Sequence, residues 1–187
     1  MKALRSMAVV LCSLMAGVTA HAQTAQWGQV GGWQIRVDRS VGDGCFAVQE
    51  FEGDTIVRIG YDAEKKRVYL LFTDDDWSSL QEDKVYPVRL VFDGGSSFNG
   101  EMTGLKLGKT IWLAHRNVSS DLVQAFMERS TMKIFYNGTQ IAHLSLRNTY
   151  AALMEVVTCQ QAMNTGTASG KPAAPIVPPP KSSDPFR

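Results

Sequence analysis

The amino-acid sequence predicts a mainly β domain, either an antiparallel β-sandwich or a partly open barrel, with two short helices and one disulfide bond. Three observations predict it. Segments in which apolar and polar residues alternate recur along the chain, and Gly, Asn and Asp turns separate them at short intervals. Helical periodicity is confined to two later segments. Two cysteines, Cys45 and Cys159, lie near opposite ends of the patterned region.

The first half of the chain contains four predicted strands. Residues 33–37 place Trp33, Ile35 and Val37 on one face, and residues 46–48 follow after a Gly-Asp-Gly turn. Residues 55–61 alternate in the same way. The segment 68–72 is apolar at every position, which is typical of a strand that is buried on both faces. We therefore expect it near the centre of the sheet.

The next strands surround a clear turn at Asp93-Gly94-Gly95-Ser96. Residues 85–92 alternate, but Pro87 lacks the N–H that a strand donates to its neighbour, so we expect an edge or a bulge there. Strands around 105–107 and 111–114 are predicted to follow.

Two helices and one hairpin complete the pattern. Ser120 or Asp121 is expected to cap a first helix that ends near Arg129. Asn137-Gly138, between the alternating segments 131–136 and 139–146, predicts a tight hairpin because a type I′ turn needs positive φ at both positions. A second helix is predicted over 150–161 with Thr149 as its cap. Its apolar residues are expected to face the sheet: Ala152, Leu153, Val156, Val157 and Cys159.

The first 22 residues have the pattern of a signal peptide. Lys2 and Arg5 precede an apolar run over 7–18, and Ala20-His21-Ala22 supplies the small residues that signal peptidase recognises. The apolar run is shorter than the roughly 20 residues that a membrane-spanning helix needs. We expect cleavage after Ala22, location in the periplasm or outside the cell, and no membrane span after cleavage.

In an oxidising compartment the two remaining cysteines are expected to form a disulfide, Cys45–Cys159. The alternative is that Cys45 is a free nucleophile, but no base stands beside it at a recognisable spacing. Residues 23–163 then form one β-rich domain. Residues 164–187, rich in Pro, Ser and Ala, are predicted to be a disordered tail, with a tether or partner motif as the alternative.

The composition excludes nucleic acid as a partner, and the absence of the usual motifs weakens the case for a zinc site or a catalytic site. With 19 basic and 18 acidic residues, the chain lacks the positive field expected of a nucleic-acid-binding protein. The only histidines outside the signal peptide are His115 and His143, and neither belongs to a zinc-ligand spacing or a Gly-x-Ser-x-Gly motif. We therefore expect no catalytic residue, metal or cofactor.

One cluster is a candidate binding rim: Asp74, Asp75, Asp76 and Trp77. Three carboxylates suggest calcium, but the Gly and Glu that an EF-hand requires do not follow at the proper positions. A solvated loop is expected instead. Trp77 stands beside Ser78-Ser79, so it is either core or an exposed aromatic that marks a binding surface.

The second half of the chain carries a familiar set of spacings. It comprises Trp77, Tyr86-Pro87-Val88, Phe92-Asp93, Asn137-Gly138, Leu144-x-Leu146-x-x-Thr149-x-Ala151-Ala152-Leu153 and Cys159. With these motifs the chain resembles a group of small exported proteins of Gram-negative bacteria, which is similar in general plan to the invasion-associated locus B family. The resemblance implies a β-rich periplasmic or secreted domain and allows a link to envelope or host contact. Its motifs are structural, so no functional residue is carried over.

These observations favour a non-enzymatic binding or interaction protein, whose partner is an unknown protein or envelope component. A second hypothesis is an inhibitor of a secreted hydrolase that uses the loop 42–45. A third is a hydrolase that uses His115 or His143, which would need a carboxylate and a Ser or Cys in the same pocket.

Overall fold

The computed structural model describes residues 24–167. The predicted signal peptide and residues 168–187 of the predicted tail lie outside this part of the chain. Ten strands and two helices make up the fold. The strands are β1 (Thr24–Val30), β2 (Trp33–Asp38), β3 (Gly44–Glu50), β4 (Ile56–Asp62), β5 (Arg67–Thr73), β6 (Val85–Phe92), β7 (Ser97–Leu107), β8 (Thr110–His115), β9 (Thr131–Tyr136) and β10 (Thr139–Ser145). The helices are α1 (Ser120–Glu128) and α2 (Thr149–Thr165).

The strands form one antiparallel sheet in the order β1-β2-β3-β4-β5-β8-β7-β6-β9-β10. The sheet is not closed, since β1 and β10 lie at its two ends. The mainly β antiparallel fold with two helices and one disulfide is confirmed. β5 is interior as expected, and its fully buried Leu70 and Phe72 reach the main core.

One face of the sheet and both helices share the main core. Trp33, Phe72, Phe92 and Phe126 are among its largest fully buried side chains. They come from both halves of the sheet and from α1, so the main core extends across the described domain. Helix α2 packs on β1, β2 and β3 at one end of the sheet.

The predicted disulfide is present. Cys45 on β3 is bonded to Cys159 on α2, 114 positions later, and both residues are completely buried. The bond therefore attaches the last helix to a strand near the start of the domain.

The expectation that Pro87 marks an edge or a bulge is wrong. β6 lies between β7 and β9, and no register shift interrupts either pairing. Pro87 is opposite Glu101 on β7, whereas pairing with β9 begins only at Val88. The interior strand β6 can contain this proline because Pro87 lies one residue before the segment that pairs with β9, so the missing N–H interrupts no pairing with that strand.

Helix α1 ends at Glu128, with Arg129 as its C-terminal cap, as predicted, but the other three helix ends differ from the predicted ones. The cap of α1 is Ser119, whose Oγ accepts a hydrogen bond from the Leu122 N–H at 3.3 Å. Asn148 precedes α2 in the left-handed region, and Thr149 is already helical, with its hydroxyl donating to the Leu146 carbonyl. Helix α2 also continues to Thr165 and ends at Gly166 with φ +65°, a usual helix terminator. Asn164 and Thr165, predicted as the start of the tail, are therefore helical.

Within residues 24–167, neither helix has the length and hydropathy required to cross a bilayer.

Candidate binding site

An apolar groove lies between the two helices and the neighbouring strands β4 and β5. Its cavity measures about 320 Å³. The groove is lined by Ile59, Gly60, Tyr61, Val68, Val123, Met127, Leu153, Val156, Val157, Gln160, Gln161 and Asn164. None of these side chains carries a charge, so the lining is aliphatic along most of its length and has three amides toward the end of α2.

Strand and helix periodicity place these residues on one surface. Ile59 and Tyr61 are two positions apart on β4 and therefore point to the same side of the sheet. Val123 and Met127 are four positions apart on α1 and share one side of that helix. The groove is thus formed by side chains that meet only when α1 and α2 are both packed on the sheet.

Exposed apolar residues extend the groove along α2. Tyr150, Met154 and Val157 are 58%, 44% and 47% exposed, and their spacing puts them on one stripe of the helix. Tyr150 also borders a second cavity of about 520 Å³, which shares Val68, Val123 and Met127 with the groove and is also lined by polar residues that include Glu128. Exposed apolar side chains beside an apolar groove are typical of an interaction site.

The walls of the groove are fixed to the sheet. The Cys45–Cys159 disulfide joins α2 to β3, and the backbone N–H of Cys45 donates to Gln160 Oε1 at 2.8 Å. Near the middle of α2, Glu155 Oε1 accepts a hydrogen bond from Trp27 Nε1 on β1 at 2.9 Å. Three connections to two strands hold the helix, so the groove is formed before any partner arrives.

The sequence did not reveal this groove. Val157 was predicted to face the sheet, and its 47% exposure shows that this was wrong. Ala152, Leu153, Val156 and Cys159 are buried as expected. The apolar residues of α2 lie around much of the helix, so periodicity alone could not separate its buried side from the exposed stripe. Apolar residues on more than one side of the helix were the only available signal.

The predicted binding rim lies in the loop after β5. Asp74 Oδ2 accepts a hydrogen bond from the Thr55 hydroxyl at 2.6 Å, and Asp74 Oδ1 accepts one from the Asp76 N–H at 3.0 Å. Asp75 and Asp76 are exposed, while Trp77 is half-buried and packs against the main core. Between residues 24 and 167 no group of three or more His, Cys, Asp or Glu residues is placed to hold a metal ion. Binding at this rim stays a prediction.

The two histidines occupy separate places. His115 ends β8 and, with Ser119, lines a cavity of about 110 Å³ whose other lining residues include no carboxylate. His143 is exposed on β10, where it is opposite Lys133 of β9. The cavity at His115 therefore lacks the carboxylate that the hydrolase hypothesis requires, and the residue paired with His143 is a cation.

Comparison with known proteins gives a distant structural similarity. No family model matches the chain, and no curated protein matches it either. Among solved structures, the chain is similar to the crystal structure of invasion associated protein B from Bartonella henselae, at 16% sequence identity and a TM-score of 0.49. The matched region covers 75% of this chain and 99% of that one.

Proposed function

We propose that this chain is an exported, non-enzymatic binding protein whose groove holds an uncharged apolar segment of a partner protein. The observation that carries the proposal is the groove between α1, α2 and β4–β5, with its uncharged lining and the exposed stripe Tyr150, Met154 and Val157. Export is supported by the buried Cys45–Cys159 disulfide, because such bonds persist outside the reducing cytosol. The N-terminal signal pattern supports the same location.

The lining specifies the chemistry of the partner. A charged side chain that entered the groove would lose its water without gaining a counter-ion, and this loss is unfavourable. Aliphatic side chains of the partner would pack well against Val123, Met127 and Val157. The amides of Gln161 and Asn164 can hydrogen-bond the backbone of an extended segment, which keeps its own N–H and carbonyl groups unpaired.

The chain itself contains a segment of this composition. Residues 172–180 read Pro-Ala-Ala-Pro-Ile-Val-Pro-Pro-Pro, with no charged side chain between Lys171 and Lys181. Proline-rich segments bind aromatic-lined apolar grooves at low entropic cost, because their backbone is already extended. Tyr61 provides an aromatic ring in this groove, and Tyr150 provides another in the adjoining cavity. The segment is therefore a suitable probe for the partner's chemistry.

The inhibitor hypothesis has less support. In the loop 42–45, Gly42 and Asp43 are exposed, but Gly44 and Cys45 are buried members of β3. Only two residues project, so the loop offers little surface with which to block an active site.

The test is calorimetric titration of a synthetic peptide with the sequence of residues 171–181 into the full chain and into a chain that ends at Thr167. We expect saturable binding to at least one of them. Binding to the shortened chain alone would mean that residues 168–187 compete for the same groove, which also supports the proposal. Absence of binding to both would contradict it.

Matched variants locate the binding. Val157→Lys places a charge in the groove. Val85→Lys places the same charge on β6, outside the groove, and serves as the control because the two valines are similarly exposed, at 47% and 49%. We expect Val157→Lys to weaken peptide binding by about tenfold or more, because the bound peptide would bury the lysine charge. A tenfold loss of affinity corresponds to roughly 1.4 kcal/mol, and burying a charge costs at least as much. Val85→Lys should leave peptide binding unchanged. Equal effects of both substitutions would contradict the assignment.

A further inference from the structure

Another pocket lies on the face of β4 and β5 that is opposite to the groove. Arg58 alternates with Ile59 on β4, and Tyr69 alternates with Val68 on β5, so their side chains point away from the groove. The pocket measures about 250 Å³. It is lined by Asp38, Ser40, Val41, Arg58, Asp62, Lys65, Arg67, Tyr69, Leu71, Leu105, Leu107 and Arg116.

Arg58 is held rigidly at the base of this pocket. Its guanidinium carbon lies 3.7 Å from the centre of the Phe46 ring, and its Nη2 forms a salt bridge with Asp38. Its Nε and Nη2 also donate hydrogen bonds to the Tyr69 hydroxyl, at 3.0 and 2.7 Å. Asp38 in turn accepts hydrogen bonds from the backbone N–H and the hydroxyl of Ser40.

This arrangement leaves Tyr69 with a proton to donate. Its oxygen already accepts two hydrogen bonds from Arg58, and the hydroxyl donates none to any residue within 24–167. Burial raises the pKa of Tyr69 to about 12, so the phenol keeps that proton at neutral pH. A ligand oxygen that enters the pocket can accept it.

The charges around the pocket do not cancel. Four cationic side chains and two carboxylates line it. Asp38 is paired with Arg58, and Asp62 lies 3.5 Å from Arg67 Nε. Lys65 and Arg116 are exposed and form no salt bridge within residues 24–167. Two positive charges are therefore left at the mouth, and in a partly enclosed pocket they attract an anion more strongly than they would in open water.

The rest of the pocket is apolar. Leu71 is buried, and Leu105 and Leu107 are half-buried on the neighbouring surface of β7. These side chains belong to a small second cluster on this face, which also contains Phe46 and Tyr69. A ligand that carries only a charge would leave this surface unused.

We propose that this pocket binds a small organic anion, with its carboxylate or phosphate group near Arg116 and Lys65 and its hydrocarbon part on Leu71, Leu105 and Leu107. The volume suits a short-chain compound, since it lies slightly below the range of drug-sized ligand pockets. The proposal is independent of the peptide groove, because the two sites lie on opposite faces of β4 and β5.

Three probes separate the two parts of the ligand. Octanoate carries both the anion and the chain, octanol only the chain, and acetate only the anion. We expect the full-length protein to bind octanoate at least about tenfold more tightly than either of the others, a factor equivalent to roughly 1.4 kcal/mol. Added salt should weaken octanoate binding because the guiding charges are exposed. Equal affinity for octanol and octanoate, or no binding of octanoate, would overturn the proposal.

Substitutions then test the position of the anion. Arg116→Gln and Lys65→Gln remove exposed charges at the pocket, whereas Arg147→Gln and Lys133→Gln remove exposed charges elsewhere. We expect each of the first pair to weaken octanoate binding about three- to tenfold and the second pair to have no effect. Thermal unfolding of all four variants checks that the fold is retained. Retained octanoate affinity in both pocket variants would overturn the assignment.

Discussion

Val68 and Tyr69 are consecutive residues of β5, and their side chains line two different pockets on opposite faces of the sheet. Val68 belongs to the uncharged groove beneath the helices, and Tyr69 to the cationic pocket held by Arg58. Because strand residues alternate between faces, each pocket can be altered without changing side chains of the other. The two proposed sites can therefore be tested separately in one protein.

The Asp38–Arg58 pair makes stability dependent on pH. Burial acts to raise the pKa of Asp38, but hydrogen bonds from Ser40 and Arg58 outweigh it and leave the pKa below its ordinary value. A carboxyl whose pKa is lowered on folding stabilises the protein above its unfolded pKa, and this contribution is lost as the pH falls through the folded pKa. We predict that Asp38→Asn reduces the free energy of unfolding by about 2 to 3 kcal/mol at neutral pH.

Urea denaturation at several pH values measures this effect. The difference between Asp38→Asn and the unsubstituted chain should shrink below about pH 4, where the carboxyl of the unfolded chain becomes protonated. Asp75→Asn, a change at an exposed aspartate, serves as the control. A difference that stays constant down to pH 2.5, about one and a half units below the ordinary pKa, would show that the charge of Asp38 is not responsible.

The disulfide is predicted to be a major source of stability. It closes a loop of 114 positions, and the loss of such a bridge typically costs about 2 to 5 kcal/mol. Cys45→Ser and Cys159→Ser should each lower the midpoint of chemical denaturation, and a reducing agent should bring the unsubstituted chain to the same value. Detection of two free thiols by intact-mass analysis of the protein purified without a reducing agent would refute the pairing.

Two glycines of β7 provide a matched test of close packing. A Cβ on Gly104 would lie 1.9 Å from the backbone oxygen of Gln81, whereas a Cβ on Gly100 would meet only His115 Cε1 at 3.8 Å. We predict that Gly104→Ala destabilises the domain by about 1 to 3 kcal/mol, since backbone must move to admit the methyl group. Gly100→Ala should be nearly neutral. Thermal unfolding would disprove this account if the two variants melted at the same temperature.

The sequence predicted those elements whose conformation depends on a few neighbouring residues. Asn137 and Gly138 both have positive φ, as the predicted hairpin turn requires. β1 was missed because its apolar residues, Ala25, Trp27 and Val30, do not keep one alternating pattern across the irregularity between Gln26 and Gly28, and pairing with β2 stabilises it. The order of the strands was not predictable, since the pairings β5–β8 and β6–β9 join segments that are distant in sequence.

The candidate sites depend even more on tertiary structure. The groove exists because α1 and α2 meet above β4 and β5, and no single segment records that meeting. The cationic pocket likewise combines β4, β5 and β7. By contrast, the Cys45–Cys159 pairing was predictable, because only two cysteines lie outside the predicted signal peptide.

The groove between α1 and α2 is proposed to receive the apolar segment of a partner. Methyl NMR of the chain titrated with the peptide of residues 171–181 locates the contact directly. We predict that the methyl signals of Val123, Met127 and Val157 shift together and saturate, while those of Leu105 and Leu107 on the opposite face stay in place. Shifts confined to other surfaces, or no shift at saturating peptide, would contradict it.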